Sequence, residues 1–174
     1  NYYATIRFIP NVNNPKKTII SKTTYNLTDG EGFFSVDSLL TNGDTNCPLF
    51  KTWKSLHYGK DAILSKLADE VFNKVETHYV LIQVIEDVNH PELNGKFLIW
   101  KLPVKIKNKI DNKLKPSVES KKKAENVFDP FVGRNLLLEI RGAKRDTSYE
   151  FSEFDTEKSC IIDVNTKEAI LNEA

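Results

Sequence analysis

Aromatic and cationic residues are interleaved at three places in this chain. Trp100-Lys101 is followed by Lys105, Lys107 and Lys109. Tyr79 follows His78 and Lys74, and Arg141, Lys144 and Arg145 precede Tyr149. Lysine and arginine neutralise phosphates and release their counterions, which gives an affinity that weakens with salt and ignores base sequence. A flat ring adds stacking on any unpaired base, about 1–3 kcal/mol each. Together these groups suit a polyanion whose bases are free to stack. The same rings also suit a core: Trp100 shares a strand face with Leu98 and Leu102 by alternation, and the lysines around Ile106 and Ile110 suit a solvated helix face.

Other chemistries find little support. No Gly-rich phosphate loop and no helical His-Glu-x-x-His pair is present. His57, His78 and His90 are scattered, and Cys47 has no second cysteine two to four residues away. No nucleophile elbow occurs. Asp87, Glu92, Asp129 and Glu139 are the set to test for a metal-dependent nuclease, but with 24 acidic residues such sets arise by chance. We therefore expect a protein that is not an enzyme.

The elements that must position these residues follow from periodicity. Ala4 to Pro10 alternates apolar and polar residues, as a strand does. Thr18 to Tyr25 is a second expected strand, and the stretch from Asp29 to Asn46 reads as turn and loop. Trp53, Leu56, Ile63, Leu64, Leu67, Val71 and Phe72 recur at helical spacing, predicting a helix over 60–75. Tyr79 to Glu86 and Lys96 to Leu102 form an expected hairpin around Pro91 and Asn94-Gly95. Lys105 to Leu114 predicts a helix with Ile106, Ile110 and Leu114 on one face, and Lys115 to Asn126 an exposed loop. Asn135 to Gly142 reads as a strand, with Arg141 exposed, and Thr166 to Leu171 as a terminal helix. Strands without regular helix alternation indicate a mainly β chain with inserted helices (α+β), a five-stranded barrel in one domain spanning 1–174.

Composition agrees. The 174 residues are 40% hydrophobic and 28% charged, and no stretch reaches the ~20 apolar residues of a membrane span. Two lone cysteines, Cys47 and Cys160, provide no disulfide framework and indicate an intracellular, reducing compartment. The net charge of +1 is uneven: Glu150 onward carries seven acidic and two basic residues, leaving 23 basic and 17 acidic before it, a net of +6. A basic body suits a polyanion.

An ordered set of segments resembles the T-even-type phage single-stranded DNA-binding, helix-destabilising proteins. It runs from Ala4-Thr5-Ile6-Arg7-Phe8-Ile9-Pro10 through Asn46-Cys47-Pro48-Leu49-Phe50 to Pro91-Glu92-x-Asn94-Gly95-Lys96-Phe97. Trp100-Lys101, Lys105-Ile106-x-x-Lys109-Ile110, Asp129-Pro130-Phe131-x-Gly133-x-Asn135 and Tyr149 to Phe154 follow in order. The resemblance implies an OB-fold barrel that coats single-stranded DNA in phage replication, recombination and repair. It implies groove aromatics at Tyr79, Trp100 and Tyr149, and a DNA-contacting aromatic at Phe131 in the Pro-aromatic-x-Gly turn. Lys74, Lys101, Lys105, Lys109, Arg141, Lys144 and Arg145 become phosphate contacts by charge and proximity to those rings. Partners implied are single-stranded DNA, replication and recombination proteins and neighbouring copies along the strand, in a host cytoplasm. The alternative is an OB module of a replisome or virion that interacts with proteins and not with DNA. The family's structural zinc uses one histidine and three cysteines. Only Cys47 is retained, with Phe50 at the next ligand position, so we expect no zinc. The small lobe at 18–56 should then be held by Phe33, Phe34, Leu49 and Phe50.

Overall fold

Apolar alternation builds the first strand, β1 (Tyr2–Phe8), in which Ala4, Ile6 and Phe8 are buried on one face, Tyr3 is exposed and Arg7 is buried on the other face. The strands β2 (Ile19–Thr28) and β3 (Phe33–Asp37) follow, then the helices α1 (Pro48–His57) and α2 (Ala62–Val71). Next come β4 (Phe72–Asp87), β5 (Phe97–Leu102), α3 (Val104–Leu114), β6 (Asn135–Ile140) and β7 (Glu153–Phe154). This computed structural model describes residues 1–28, 31–142 and 146–163. The chain forms two compact units, one of Asn1–Ile19 with Val80–Ala174 and one of Ile20–Tyr79. The expected helix at Thr166 to Leu171 lies outside the described residues.

In the larger unit the strand order is β5-β4-β1-β6-β7, with every registered pair antiparallel. Ile6 lies opposite Val84 on one side and Leu136 on the other, so one face collects the apolar residues. An irregularity between Thr5 and Ile6 leaves Ile85 without a partner in β1 and turns Asp87 to the face of Ala4. Among the described residues the end strands β5 and β7 are not paired with each other, so the path is open. The expected mainly β architecture with helices is what the chain adopts.

Helix α3 covers the apolar face. Ile106 and Ile110, four residues apart, are fully buried against Phe8, Val80, Leu102 and Leu136. Each such burial contributes about 1.5–3 kcal/mol before entropy is counted. The lysines of α3 lie on its other faces, and Lys107 pairs with Asp111 at 2.6 Å. This helix begins one residue before the expected start. The segment 115–126 has only one 3-10 turn, Val118–Ser120, and is largely exposed, as its polarity implies.

The smaller unit corrects three expectations. The helix predicted over 60–75 is α2 followed by the start of β4, and the helically spaced Trp53 and Leu56 belong to a separate helix, α1. Tyr58 and Gly59 end α1, and Asp61 caps α2 by accepting from the N–H of Ile63 and Leu64 at 2.8 and 3.3 Å. Apolar spacing runs across such a break without showing it. Beyond Val71 the chain enters β4, because pairing with β2 overrides helical spacing. The loop expected from Asp29 to Asn46 contains β3, registered on β2 from Thr24 opposite Asp37 to Thr28 opposite Phe33. A five-residue strand is decided by its partner more than by its own composition. Phe34 is 49% exposed and does not hold the lobe, and Leu49 and Phe50 are half-buried. The buried centre is Tyr25, edge-on to Phe72 at 6.4 Å, with Cys47 and Ala68 also buried.

Candidate nucleic-acid interface

Trp100 reaches the end of the core face because β5 alternates: Leu102 is buried, Trp100 half-buried, and Ile99 is 78% exposed on the other side. The indole lies 6.5 Å from the Phe8 ring at 26°, and 6.4 Å from Tyr149 at 60°. Phe8 also contacts Phe154 at 6.1 Å. Tyr149, Trp100, Phe8 and Phe154 thus form one aromatic row, of which only Phe8 is fully buried. Lys109 Nζ donates to the Glu150 carbonyl at 2.7 Å, and Lys105 Nζ lies 3.7 Å from the Glu150 carboxylate. Trp100, Tyr149, Lys105 and Lys109 are therefore neighbours. Lys101 leaves the opposite face of β5 with Ile99, by alternation.

Beside Trp100 the core face is unfilled. A groove of about 260 Å³ is bounded by Tyr2, Ile82, Leu93, Leu98, Trp100 and Ile140. Its one ionic group, Asp87, is almost wholly buried and accepts hydrogen bonds from the Tyr2 hydroxyl and from the N–H of Asn89 and His90. Burial pushes the Asp87 carboxyl up, but these donors outweigh it and hold it below its ordinary value. Burial and then the Asp87 hydrogen bond push the Tyr2 hydroxyl up to about 12. Asp87 thus spends its charge internally, and the groove offers a base an apolar wall.

Phe131 sits on a separate, rigid turn. The Asp129 carboxylate accepts from the N–H of Phe131 and Val132 at 2.9 and 3.0 Å, which holds it below its ordinary range. Arg7, fully buried, donates from Nη2 to the Asp129 carbonyl, and burial lowers its own pKa. Gly133 lies where a Cβ would collide with the Arg7 guanidinium and that same carbonyl. Phe131 is half-buried, with no ring contact to Trp100 among the described residues.

The opposite face of the sheet has the wrong sign for phosphate. A cavity of about 320 Å³ there is lined by Tyr3, Leu137, Phe151 and three carboxylates, Glu86, Glu139 and Glu153. Arg141, expected to be exposed, is half-buried beside it: Nε donates to Glu139 at 2.6 Å, and the guanidinium stacks 3.3 Å over the Phe151 ring. Alternation places Arg141 on this face, and its charge is already paired. Lys144 and Arg145 lie outside the described residues.

Tyr79 and Lys74 belong to the smaller unit. Tyr79 is half-buried at its end, and Lys74 is exposed on β4. Nearby, His78 Nδ1 lies 2.8 Å from Ser21 Oγ. Cys47 is buried with Ser38 Oγ 3.2 Å from its sulfur. Burial raises the thiol, but Ser38 and the backbone N–H of Phe50, Leu39 and Leu49 together lower it. None of these neighbours is a metal-ligating side chain, and a lone sulfur does not close a tetrahedral site. Among the described residues no three His, Cys, Asp or Glu side chains gather as a metal site requires.

The sequence reading missed Tyr2, Phe154 and Arg7. Tyr2 and Phe154 had a readable signal, since each lies in register with the apolar face of its strand. Arg7 had none: its partner carbonyl is 122 residues away. The unbroken apolar run Phe97 to Trp100 resembles a strand buried on both faces, yet Phe97 is 49% exposed.

No curated protein matches the chain. The family described as gp32 DNA binding protein like matches residues 1–174, the whole length. With a half-buried indole at an apolar groove, two lysines beside it and a profile spanning every residue, the chain belongs to the gp32-like family of DNA-binding proteins.

Proposed function

We propose that this protein binds single-stranded DNA without sequence preference, laying unpaired bases on Trp100 and Tyr149 while Lys105 and Lys109 neutralise adjacent phosphates. The observation that carries this reading is the open apolar groove at Trp100, with both lysines tied to the Tyr149–Glu150 segment. Duplex bases are already stacked on each other and gain nothing from such a ring. Family membership supports DNA as the partner. On this reading the larger unit is an OB-type barrel whose mouth is the groove. Phe131 extends the contact, Tyr79 and Lys74 are separate contacts within the smaller unit, and the acidic face around Glu86 and Glu139, on whose side Lys101 emerges, stays free of DNA. The protein coats strands in phage replication, recombination and repair inside the host cell. Replication and recombination proteins and neighbouring copies are its partners, and it does no covalent chemistry itself.

Titration of a fluorescent oligo-dT with salt tests this. Binding at about micromolar strength or tighter is expected, with a log–log salt slope of roughly −2 to −4 from several phosphate contacts, and little binding to duplex. No binding at any salt points instead to a protein-interaction module. Cleavage on adding Mg²⁺ points to a nuclease. On this reading the protein also holds no structural zinc, because no set of three His, Cys, Asp or Glu side chains gathers among the described residues to complete a site at Cys47. Elemental analysis should find far less than one zinc per chain; a stoichiometric amount overturns this.

A further inference from the structure

We propose that the groove between α3 and the segment 115–126 is a second phosphodiester-binding stretch that continues the DNA path beyond Trp100 and Tyr149. This inference rests on the single-strand reading. The groove holds about 620 Å³, and Lys109, Lys113 and Lys122 line it together with Asn112, Ser117 and Phe154. Glu153 is the one carboxylate on its wall.

The charges on this wall are not cancelled. Lys109 donates to a carbonyl, the neutral oxygen of Glu150, and so keeps its full charge for an anion. Lys113 pairs with Glu125 at 3.1 Å, but Glu125 is also held by Arg134, so one carboxylate serves two cations. Burial raises the Glu125 carboxyl, yet the Arg134 and Lys113 hydrogen bonds outweigh it and keep it ionised. Lys122 has no ion pair among the described residues. Its position is built: Ser120 donates to the Ser117 carbonyl at 2.7 Å, and Lys121 turns the chain with a left-handed φ of 52°. That conformation is unfavourable for a non-glycine residue, and the Lys122 N–H donates to Ser120 Oγ at 3.3 Å, so local hydrogen bonds define the turn holding Lys122.

Two residues join the groove to the aromatic row. Phe154 lines it and contacts Phe8, which contacts Trp100. Lys109 lines it and binds the residue after Tyr149. A strand leaving Trp100 along Tyr149 therefore meets Lys109 first and the groove next.

The test compares oligo-dT of about 5 and about 15 nucleotides, bracketing the site sizes of single-strand grooves, on wild type, Lys122→Glu, Lys123→Glu and Trp100→Ala. One lost phosphate contact lowers affinity about fivefold at 0.1 M salt and makes the salt slope shallower by about 0.7. Lys122→Glu should weaken the long oligonucleotide about fivefold to tenfold and leave the short one unchanged. Lys123→Glu, which does not line the groove, should change neither by more than about twofold. Wild-type affinity of Lys122→Glu for the long strand, equal loss on both lengths, or equal losses from Lys122→Glu and Lys123→Glu overturns the inference. If Trp100→Ala weakens both lengths while Lys122→Glu weakens neither, the single-strand reading stands and this extension falls. If the wild type binds neither length, both fall.

Discussion

Trp100→Ala should weaken oligo-dT binding about 10- to 100-fold while the protein still folds. Stacking on an aromatic ring is worth about 1–3 kcal/mol per base, and about 1.4 kcal/mol is a factor of ten. The indole is half-buried, with one side near Phe8 and its edge toward Tyr149. Full truncation of a buried aromatic costs about 3–5 kcal/mol, so a half-buried one should cost about 2. For a chain of this size that lowers the melting temperature by roughly 4–8 °C. Trp100→Phe keeps a ring in the same place and should recover most of the affinity. Oligonucleotide titration and thermal melting, read together, separate the two roles of this residue. An Ala variant that melts lower yet binds like wild type would make Trp100 a core residue and nothing more.

The second large effect is expected at Gly133. A Cβ there meets the Arg7 guanidinium and the Asp129 carbonyl. Neither can withdraw cheaply: Arg7 is fully buried and donates to that carbonyl, and the Asp129 side chain is fastened to the N–H of Phe131 and Val132. Overpacking at such a rigid spot costs about 1–3 kcal/mol, a drop of roughly 2–12 °C in melting temperature. The clash is shared, so Gly133→Ala should cost less in an Arg7→Met background, and the two substitutions should not add. Melting of Gly133→Ala within a degree of wild type would show that the turn yields. Since the turn carries Phe131, the same variant also reports whether that ring contributes to binding.

Local order was legible in the strand alternation and the helical spacing of the larger unit. The alternation in Ala4 to Phe8 and the four-residue spacing of Ile106 and Ile110 each specify a face. That specification depends only on backbone geometry within a few residues, and the chain buries those faces as expected. The interleaved aromatics and cations pointed to a polyanion before any contact was known, and the family likeness carried by ordered segments agrees with the match over the full length.

What the tertiary structure alone decided is which charges are spent and which remain available. Arg141 and Lys109 look alike in the sequence, each a cation near an aromatic. The fold pairs Arg141 with Glu139 and stacks it on Phe151, whereas among the described residues Lys109 meets only a carbonyl and keeps its charge at a groove. Likewise Arg7, three residues after the start of the core alternation at Ala4, is buried and donates to a carbonyl far along the chain. β3 exists because β2 pairs with it. Periodicity follows from the directions in which neighbouring side chains leave the backbone, so sequence suffices for it. Neutralisation and burial depend on partners brought together across the whole chain, and only the folded structure supplies them.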